Sequence, residues 1–275
     1  FYLFLCGFCL KTLFADHFAL FTDYAFANDG HLGFAAAWIG VFAYTLQIYF
    51  DFSGYSLMAI GLGWCLGFEF PDNFNRPYVA RTLQDFWRRW HMTLSRWLRD
   101  YLYIPLGGSR VGPFRTYLNL VLTMAIGGIW HGAGWTFLIW GAWHGVWLAL
   151  ERRFPRLFGE RGGQARTFVL VMVGWVFFRA QNLPQALQVL RAMANPLDGL
   201  GTFNPSGFQA HPLSLVLCGL GVLYCFFVEP RVRYQPPNTQ ATAALVGRFA
   251  LGIAFVFSLI LNFSSLTIPF LYFQF

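Results

Sequence analysis

Residues 127–145 read GGIWHGAGWTFLIWGAWHG, with two Trp-His-Gly triplets, Trp130-His131-Gly132 and Trp143-His144-Gly145, inside an apolar stretch of the chain. At membrane depth a central Asp, Lys or Arg costs roughly 2.5–3.5 kcal/mol. A neutral histidine costs less, but it still needs a hydrogen-bond partner or water, so its presence there calls for a reason. It is also the side chain that exchanges a proton near neutral pH without extensive tuning. His131 is therefore the first candidate for chemistry.

The rest of the chain agrees with a membrane reading. Apolar residues make up 57% and charged residues only 11%, against about 25% charged in soluble domains. Apolar stretches of spanning length recur at about Phe34–Gly54, Phe168–Phe178 with its flanks, Pro212–Val228 and Leu245–Phe263. The pattern predicts an all-α polytopic membrane protein. Barrel strands would need alternating segments of about ten residues, which are absent. The chain opens at Phe1 with an apolar run already under way, and is expected to be the C-terminal part of a longer protein with further helices before it.

Positive charge is unevenly placed. Eight arginines lie between Arg76 and Arg115 against two acids, Asp85 and Asp100. Further basic clusters are Arg152, Arg153, Arg156, Arg161 and Arg166, then Arg231, Arg233 and Arg248. The positive-inside rule puts all three in the cytoplasm, with Gln181–His211 and Phe275 outward. In so apolar a chain the membrane surface explains the clusters better than nucleic acid does. The cysteines show no disulfide or zinc framework: Cys6 and Cys9 form a lone C-x-x-C on an apolar helical stretch and read as buried thiols. No pair of histidines has metal-ligand spacing with a carboxylate or thiolate, so no metal is expected.

If Arg115 and Arg152 are both cytoplasmic, the residues between them cross an even number of times. Two spans need about 20 residues each, so 116–151 reads as a short broken helical hairpin. Its break falls near His131, among glycines at 127, 128, 132 and 134. Irregular backbone at depth requires protein cover or a watery cavity, so His131 should line one. On an unbroken helix His144 would lie about 220° from His131; only the break could bring the two together. His144 reads equally well as a supporting or a packing residue. Five of the eleven tryptophans, from Trp130 to Trp147, belong partly to interface belts and partly to a water-excluding wall.

Just upstream, Thr82-Leu-Gln-Asp85 resembles a capping box. Phe86, Trp87, Trp90, Leu94, Trp97, Leu98 and Tyr101 then recur at helical spacing, with Arg88, Arg89, Ser95, Arg96 and Arg99 on the other faces. The segment of about 82–103 is expected to be an amphipathic helix lying in the interface, with His91 at the edge of its stripe. Its arginines suit either lipid headgroups or the phosphates of an anionic donor, for which Arg88, Arg89, Arg96 and Arg99 are the candidates. Asp51, beside an apolar span, is expected to be functional or paired. Arg179 reads as an outer-surface anchor, and His17, His31 and His211 as ordinary interfacial residues.

Taken in order, Asp51-Phe-Ser-Gly-Tyr-Ser56, Asn73-Phe-Asn-Arg-Pro-Tyr78, Asp85-Phe-Trp-Arg-Arg-Trp-His91, Arg99-Asp-Tyr-Leu-Tyr-Ile-Pro-Leu-Gly-Gly108, Gly128-Ile-Trp-His-Gly132 and Trp175-Val-Phe-Phe-Arg-Ala180 resemble the membrane-bound O-acyltransferases. The similarity is to the bacterial branch that includes alginate O-acetyltransferase and the D-alanyl transferase of teichoic acids, and Pro269–Phe275 looks like the natural end of an alginate-type member. The resemblance implies a helical funnel around a transmembrane tunnel, a cytosolic acyl donor and an outward acceptor. It makes His131 the catalytic residue and His91 a second functional position; His144, Asp51 and Trp130 are candidates for supporting residues on their own surroundings, not on the resemblance. It further implies acetyl-CoA as donor substrate with no bound cofactor, the bacterial inner membrane, and a periplasmic acetyltransferase partner. Alginate-like exopolysaccharide, cellulose and peptidoglycan all remain open as acceptors. Leu57 stands where alginate-type members often carry an acid, which leaves the acceptor side to Asp51 or to a different acceptor. The competing class is a polysaccharide or lipid-intermediate transporter subunit, which would also have broken helices but shows no paired broken segments here.

Overall fold

The computed structural model describes residues 1–27, 32–158, 163–198, 212–229 and 242–264. Expectations for His31, Arg161, His211, Arg231, Arg233 and Pro269–Phe275 fall outside them. Among the described residues the regular structure is all helical: α1 Tyr2–Leu10, α2 Asp16–Ala27, α3 Phe34–Cys65, α4 Leu83–Arg89, α5 Met92–Leu98, α6 Pro113–His131, α7 Trp135–Arg153, α8 Gly163–Arg179, α9 Leu183–Ala194, α10 Pro212–Leu223 and α11 Thr242–Ser264. A π-helical turn, Lys11–Ala15, joins α1 to α2. Among the described residues one run, Tyr2–Ala27, is long and apolar enough to cross a membrane; Pro212–Val228 and Ala250–Leu261 are shorter apolar helices.

The chain forms two compact units, one of residues 1–20, 46–72 and 209–275, the other of 21–45 and 73–208. In the first, α1 and α3 touch through Gly7 and Gly54: a Cβ on Gly54 would lie 2.6 Å from the Gly7 carbonyl oxygen. The glycine of the Ser-Gly-Tyr-Ser block is thus a backbone contact between helices, the small-residue packing typical of membrane interfaces. Phe50 packs against Phe14, Phe18 and Tyr224. Beside them Lys11 bridges two carboxylates, 2.6 Å from Asp16 Oδ1 and 2.9 Å from Asp51 Oδ1. Asp51 is 1% exposed, and its partner is Lys11. His17 is half-buried, with its Nδ1 3.1 Å from the Ser214 hydroxyl.

The second unit is built on the α6–α7 hairpin. Each helix has 19 residues, about 28 Å at the α-helical rise, so neither arm of the broken hairpin is short. Gly127 and Gly128 lie within α6, and the turn is confined to Gly132-Ala133-Gly134, directly after His131. Packing explains the difference. Gly128 and Gly141 admit the backbone of the facing helix where a Cβ would collide with Phe137 and Met124 carbonyls, and the close approach offsets the glycines' poor helix propensity. One face of α6 exposes Phe114, Leu118, Leu122, Ile126, Ile129 and Trp130, an apolar row of the kind that meets lipid.

The amphipathic segment is not one helix. It breaks at Trp90–His91, where His91 takes the left-handed conformation (φ 43°, ψ 55°), and resumes as α5 before a π-helical turn over Arg99–Tyr103. The break re-aims the stripe: Phe86, Trp87, Trp90, Leu94 and Leu98 are buried, but Trp97 and Tyr101 are exposed. Thr82 caps α4, its hydroxyl oxygen accepting from Asp85 N at 3.1 Å. The Asp85 carboxylate instead pairs with Arg89, 2.9 Å away. Glu151, at the end of α7, takes over the cap, accepting from Leu83 N at 2.9 Å and Gln84 N at 3.4 Å.

Candidate active site

Three histidines collect in the second unit. His91 reaches it because α4 stops at Arg89 and His91 itself takes the left-handed conformation at the break; it is 8% exposed. Its Nδ1 lies 3.0 Å from Asn73 Oδ1. Burial, and then the nearby His131 ring, push the His91 pKa down to about 3, so the imidazole is neutral at physiological pH. His131, the last residue of α6, is half-buried. Its ring meets Trp130 at 5.0 Å and Trp140 and Phe178 at 5.2 Å between centroids, all edge to face.

His144 is fully buried, stacked on Phe86 at 6.3 Å and edge-on to Trp87 at 5.2 Å and Trp140 at 5.4 Å. Neither of its ring nitrogens has a hydrogen-bond partner among the described residues. Trp175 stacks on Trp140 at 5.7 Å and meets Phe178 at 5.4 Å. The aromatic wall is therefore drawn from four helices: Phe86 and Trp87 of α4, His131 of α6, Trp140 and His144 of α7, and Trp175 and Phe178 of α8.

Several expected residues lie elsewhere. Trp130 touches His131 but is 54% exposed, and Trp135 is exposed. Trp143 donates its indole N–H to the Leu170 carbonyl at 2.9 Å. Of these tryptophans Trp140 is the buried one at the site. Asp51 belongs to the other compact unit. Among the four arginines, Arg89 is tied to Asp85, and Arg99 holds Asp100 in a two-pronged contact at 2.7 and 3.1 Å. Arg88 and Arg96 are exposed. Arg179 pairs with Asp23 at 2.8 Å over the Phe26 ring.

Sequence reasoning gave no role to Asn73, Glu151, Trp175 or Phe178. Trp175 and Phe178 carried a faint signal, the i, i+3 spacing of two aromatics in one block. Glu151 carried another, as the lone acid beside Arg152 and Arg153.

Residues 1–178, which hold every one of these side chains except Arg179, match the family pattern described as MBOAT, membrane-bound O-acyltransferase. The chain belongs to the membrane-bound O-acyltransferase family. It is 47% identical over 250 residues to the probable alginate O-acetylase of Pseudomonas aeruginosa, a match covering 88% of this chain and 47% of that protein. With the probable alginate O-acetylase of Pseudomonas putida it shares 44% identity over 295 residues, 99% of this chain and 60% of the other. A peptidoglycan O-acetyltransferase of Helicobacter pylori is 47% identical over 206 residues, 72% of this chain and 39% of that one. The chain spans about half the length of the curated relatives it matches.

Proposed function

We propose that this chain carries the active site of a membrane O-acetyltransferase. It would move an acetyl group from cytosolic acetyl-CoA across the membrane for O-acetylation of an extracytoplasmic polysaccharide, in first place an alginate-like exopolysaccharide. The observation that carries this reading is His131 set edge to face against Trp140 and Phe178 of the aromatic wall, close enough to the buried His91, 40 residues earlier, to act on it electrostatically. Membership of an acyltransferase family supplies the reaction class, and the alginate O-acetylases supply the acceptor class.

In this mechanism the neutral His131 imidazole accepts the proton of the attacking hydroxyl as its oxygen bonds to the thioester carbonyl carbon. The tetrahedral adduct collapses by breaking the carbon–sulfur bond, and the imidazolium returns the proton to the departing thiolate. General-base assistance of this kind is worth about 10²–10⁴ in rate. His91, neutral and buried, supports the same proton transfer. The rings of Trp140, Trp175 and Phe178 exclude water that would hydrolyse the thioester. Arg88 and Arg96, exposed on the amphipathic segment, would meet donor phosphates in this reading. Acetyl-CoA is a substrate here; the reaction needs no resident cofactor.

The setting is the bacterial inner membrane, crossed several times by a funnel of helices around a tunnel. A periplasmic acetyltransferase partner would complete transfer to the polymer. A second acceptor, peptidoglycan, is favoured by the Helicobacter pylori relative. The transporter reading loses its ground to the family match. The test is transfer from labelled acetyl-CoA in membranes bearing the full-length protein with its partner, wild type against His131→Ala at equal insertion. Loss of transfer supports the base assignment; transfer surviving in the variant moves the chemistry to His91 or His144.

A further inference from the structure

Asn73 takes no part in the reaction set out above, yet its side chain reaches the backbone break that presents His91. Its Oδ1 lies 3.0 Å from His91 Nδ1, 3.0 Å from Thr93 Oγ1 and 3.3 Å from Thr93 N. A backbone N–H only donates, so the atom opposite Thr93 N is the amide oxygen and not the amide nitrogen. An amide oxygen has no proton to give. His91 Nδ1, at hydrogen-bond distance from that oxygen, must therefore carry the proton itself. Thr93 Oγ1 is 3.4 Å from Nδ1, but its own hydrogen goes to Asn73. A neutral imidazole has one N–H, which leaves the lone pair on Nε2.

We propose that Asn73 is a positioning residue for acyl transfer: its carbonyl locks His91 in the Nδ1–H tautomer and makes Nε2 the basic atom of the ring. The inference rests on the reading of His91 as a member of the acyl-transfer site. It decides whether His91 receives a hydrogen bond from a reacting hydroxyl or from His131, or donates one. The backbone is arranged to hold this contact. A non-glycine residue in the left-handed region costs about 1–3 kcal/mol and persists where its surroundings over-determine it. Here Met92 N donates to the Asn73 carbonyl and Asn75 N donates to the Arg89 carbonyl, both at 2.9 Å, so residues 73–75 are fastened to both sides of the break. Among the described residues His131 of α6 is a titratable group that acts on His91, and Arg89 and Asp85 of α4 pair with each other.

The experiment uses full-length protein in lipid nanodiscs with ¹⁵N-labelled histidine, the His91 signals being assigned by their loss in His91→Gln. Wild type should show a protonated Nδ1 and a bare Nε2, and Asn73→Leu should lose that signature. In transfer assays Asn73→Leu should lower kcat at least tenfold, about 1.4 kcal/mol of barrier, with the KM for acetyl-CoA unchanged. Asn73→Asp keeps the acceptor and adds a negative charge. It should retain the tautomer and move the acid limb of kcat/KM upward by about one pH unit or more. This variant carries the test if Asn73→Leu does not fold. A wild-type Nε2–H tautomer, or an unmoved acid limb in Asn73→Asp, overturns the proposal. Full activity in His91→Gln instead removes the underlying reading of His91, whatever the tautomer.

Discussion

His131 and His144, thirteen residues apart, stand against the same indole, their ring centroids 5.2 and 5.4 Å from that of Trp140. On one continuous helix the two would point about 220° apart. The three-residue turn after His131 folds α7 back along α6, and His144 then lies one helical turn beyond Trp140. One ring thus supports both histidines, yet their surroundings differ: His131 is half-buried and His144 fully enclosed.

That difference predicts different mutational behaviour. His144 fills its site as an aromatic plate with no protein partner at either nitrogen among the described residues. Exchanging such a group for an apolar one of similar shape is close to neutral or stabilising. His144→Phe should therefore melt at or above the wild-type temperature and keep acetyl transfer near wild type, whereas His144→Ala should lose about 3–5 kcal/mol, as for other large core truncations. Thermal melts of the purified proteins, with the transfer assay alongside, check both. Transfer lost in a stable His144→Phe would make the imidazole itself part of the chemistry.

Glu151 sets how α4 is held. Its carboxylate accepts the Leu83 and Gln84 N–H groups, which otherwise have no partner at a helix start. Glu151→Ala should cost about 1–3 kcal/mol, the penalty for stranding buried donors, and Glu151→Gln, which keeps one acceptor, distinctly less. Because α4 supplies Phe86 and Trp87 to the His144 enclosure, the Ala variant should also lower transfer more than stability alone explains at a temperature where both variants are folded. Equal melting temperatures for the two substitutions would remove Glu151 from this role.

Much of this architecture was legible in the sequence because it rests on local pattern. Helical periodicity gave α4 with its Thr82 cap, and the glycine cluster located a break beside His131. What escaped were relationships across the chain. No period reveals that Lys11 answers Asp51, that Glu151 caps α4, or that Asn73 reaches His91. The split of the amphipathic segment escaped for a related reason: Trp90 and His91 fit helical spacing, and the docking of residues 73–75 overrides that propensity. Trp97 and Tyr101 were misplaced as a direct consequence.

In the first unit Lys11 lies between Asp16 and Asp51 with little solvent, the side chains of Lys11 and Asp51 being 7% and 1% exposed. Removing one partner of a buried pair typically costs 3–5 kcal/mol, about the loss expected for Lys11→Met. Adding Asp51→Asn removes the more deeply buried of the two stranded carboxylates, leaving Asp16, and should restore part of it. Folded yield after extraction, read by size exclusion and melting, distinguishes the cases. Should Asp51→Asn alone keep stability but abolish transfer, Asp51 would be a functional group and its pairing with Lys11 a secondary feature.

Acid should unfold the protein through His91. Its folded pKa lies near 3, against about 6.5 for a histidine in the unfolded chain. Between those values the unfolded chain binds a proton that the folded one refuses, so protonation favours unfolding. The stability contributed by the neutral ring is complete above pH about 6.5 and declines by about 1.4 kcal/mol per pH unit below it. Denaturation midpoints in nanodiscs at pH 7, 6 and 5 should therefore fall along this series in wild type. His91→Gln has no proton to gain at that position and should fall less steeply over the same range. Parallel slopes in the two proteins would mean that His91 is reached by solvent in the folded state, and its reading as an enclosed, neutral supporting residue would have to be given up.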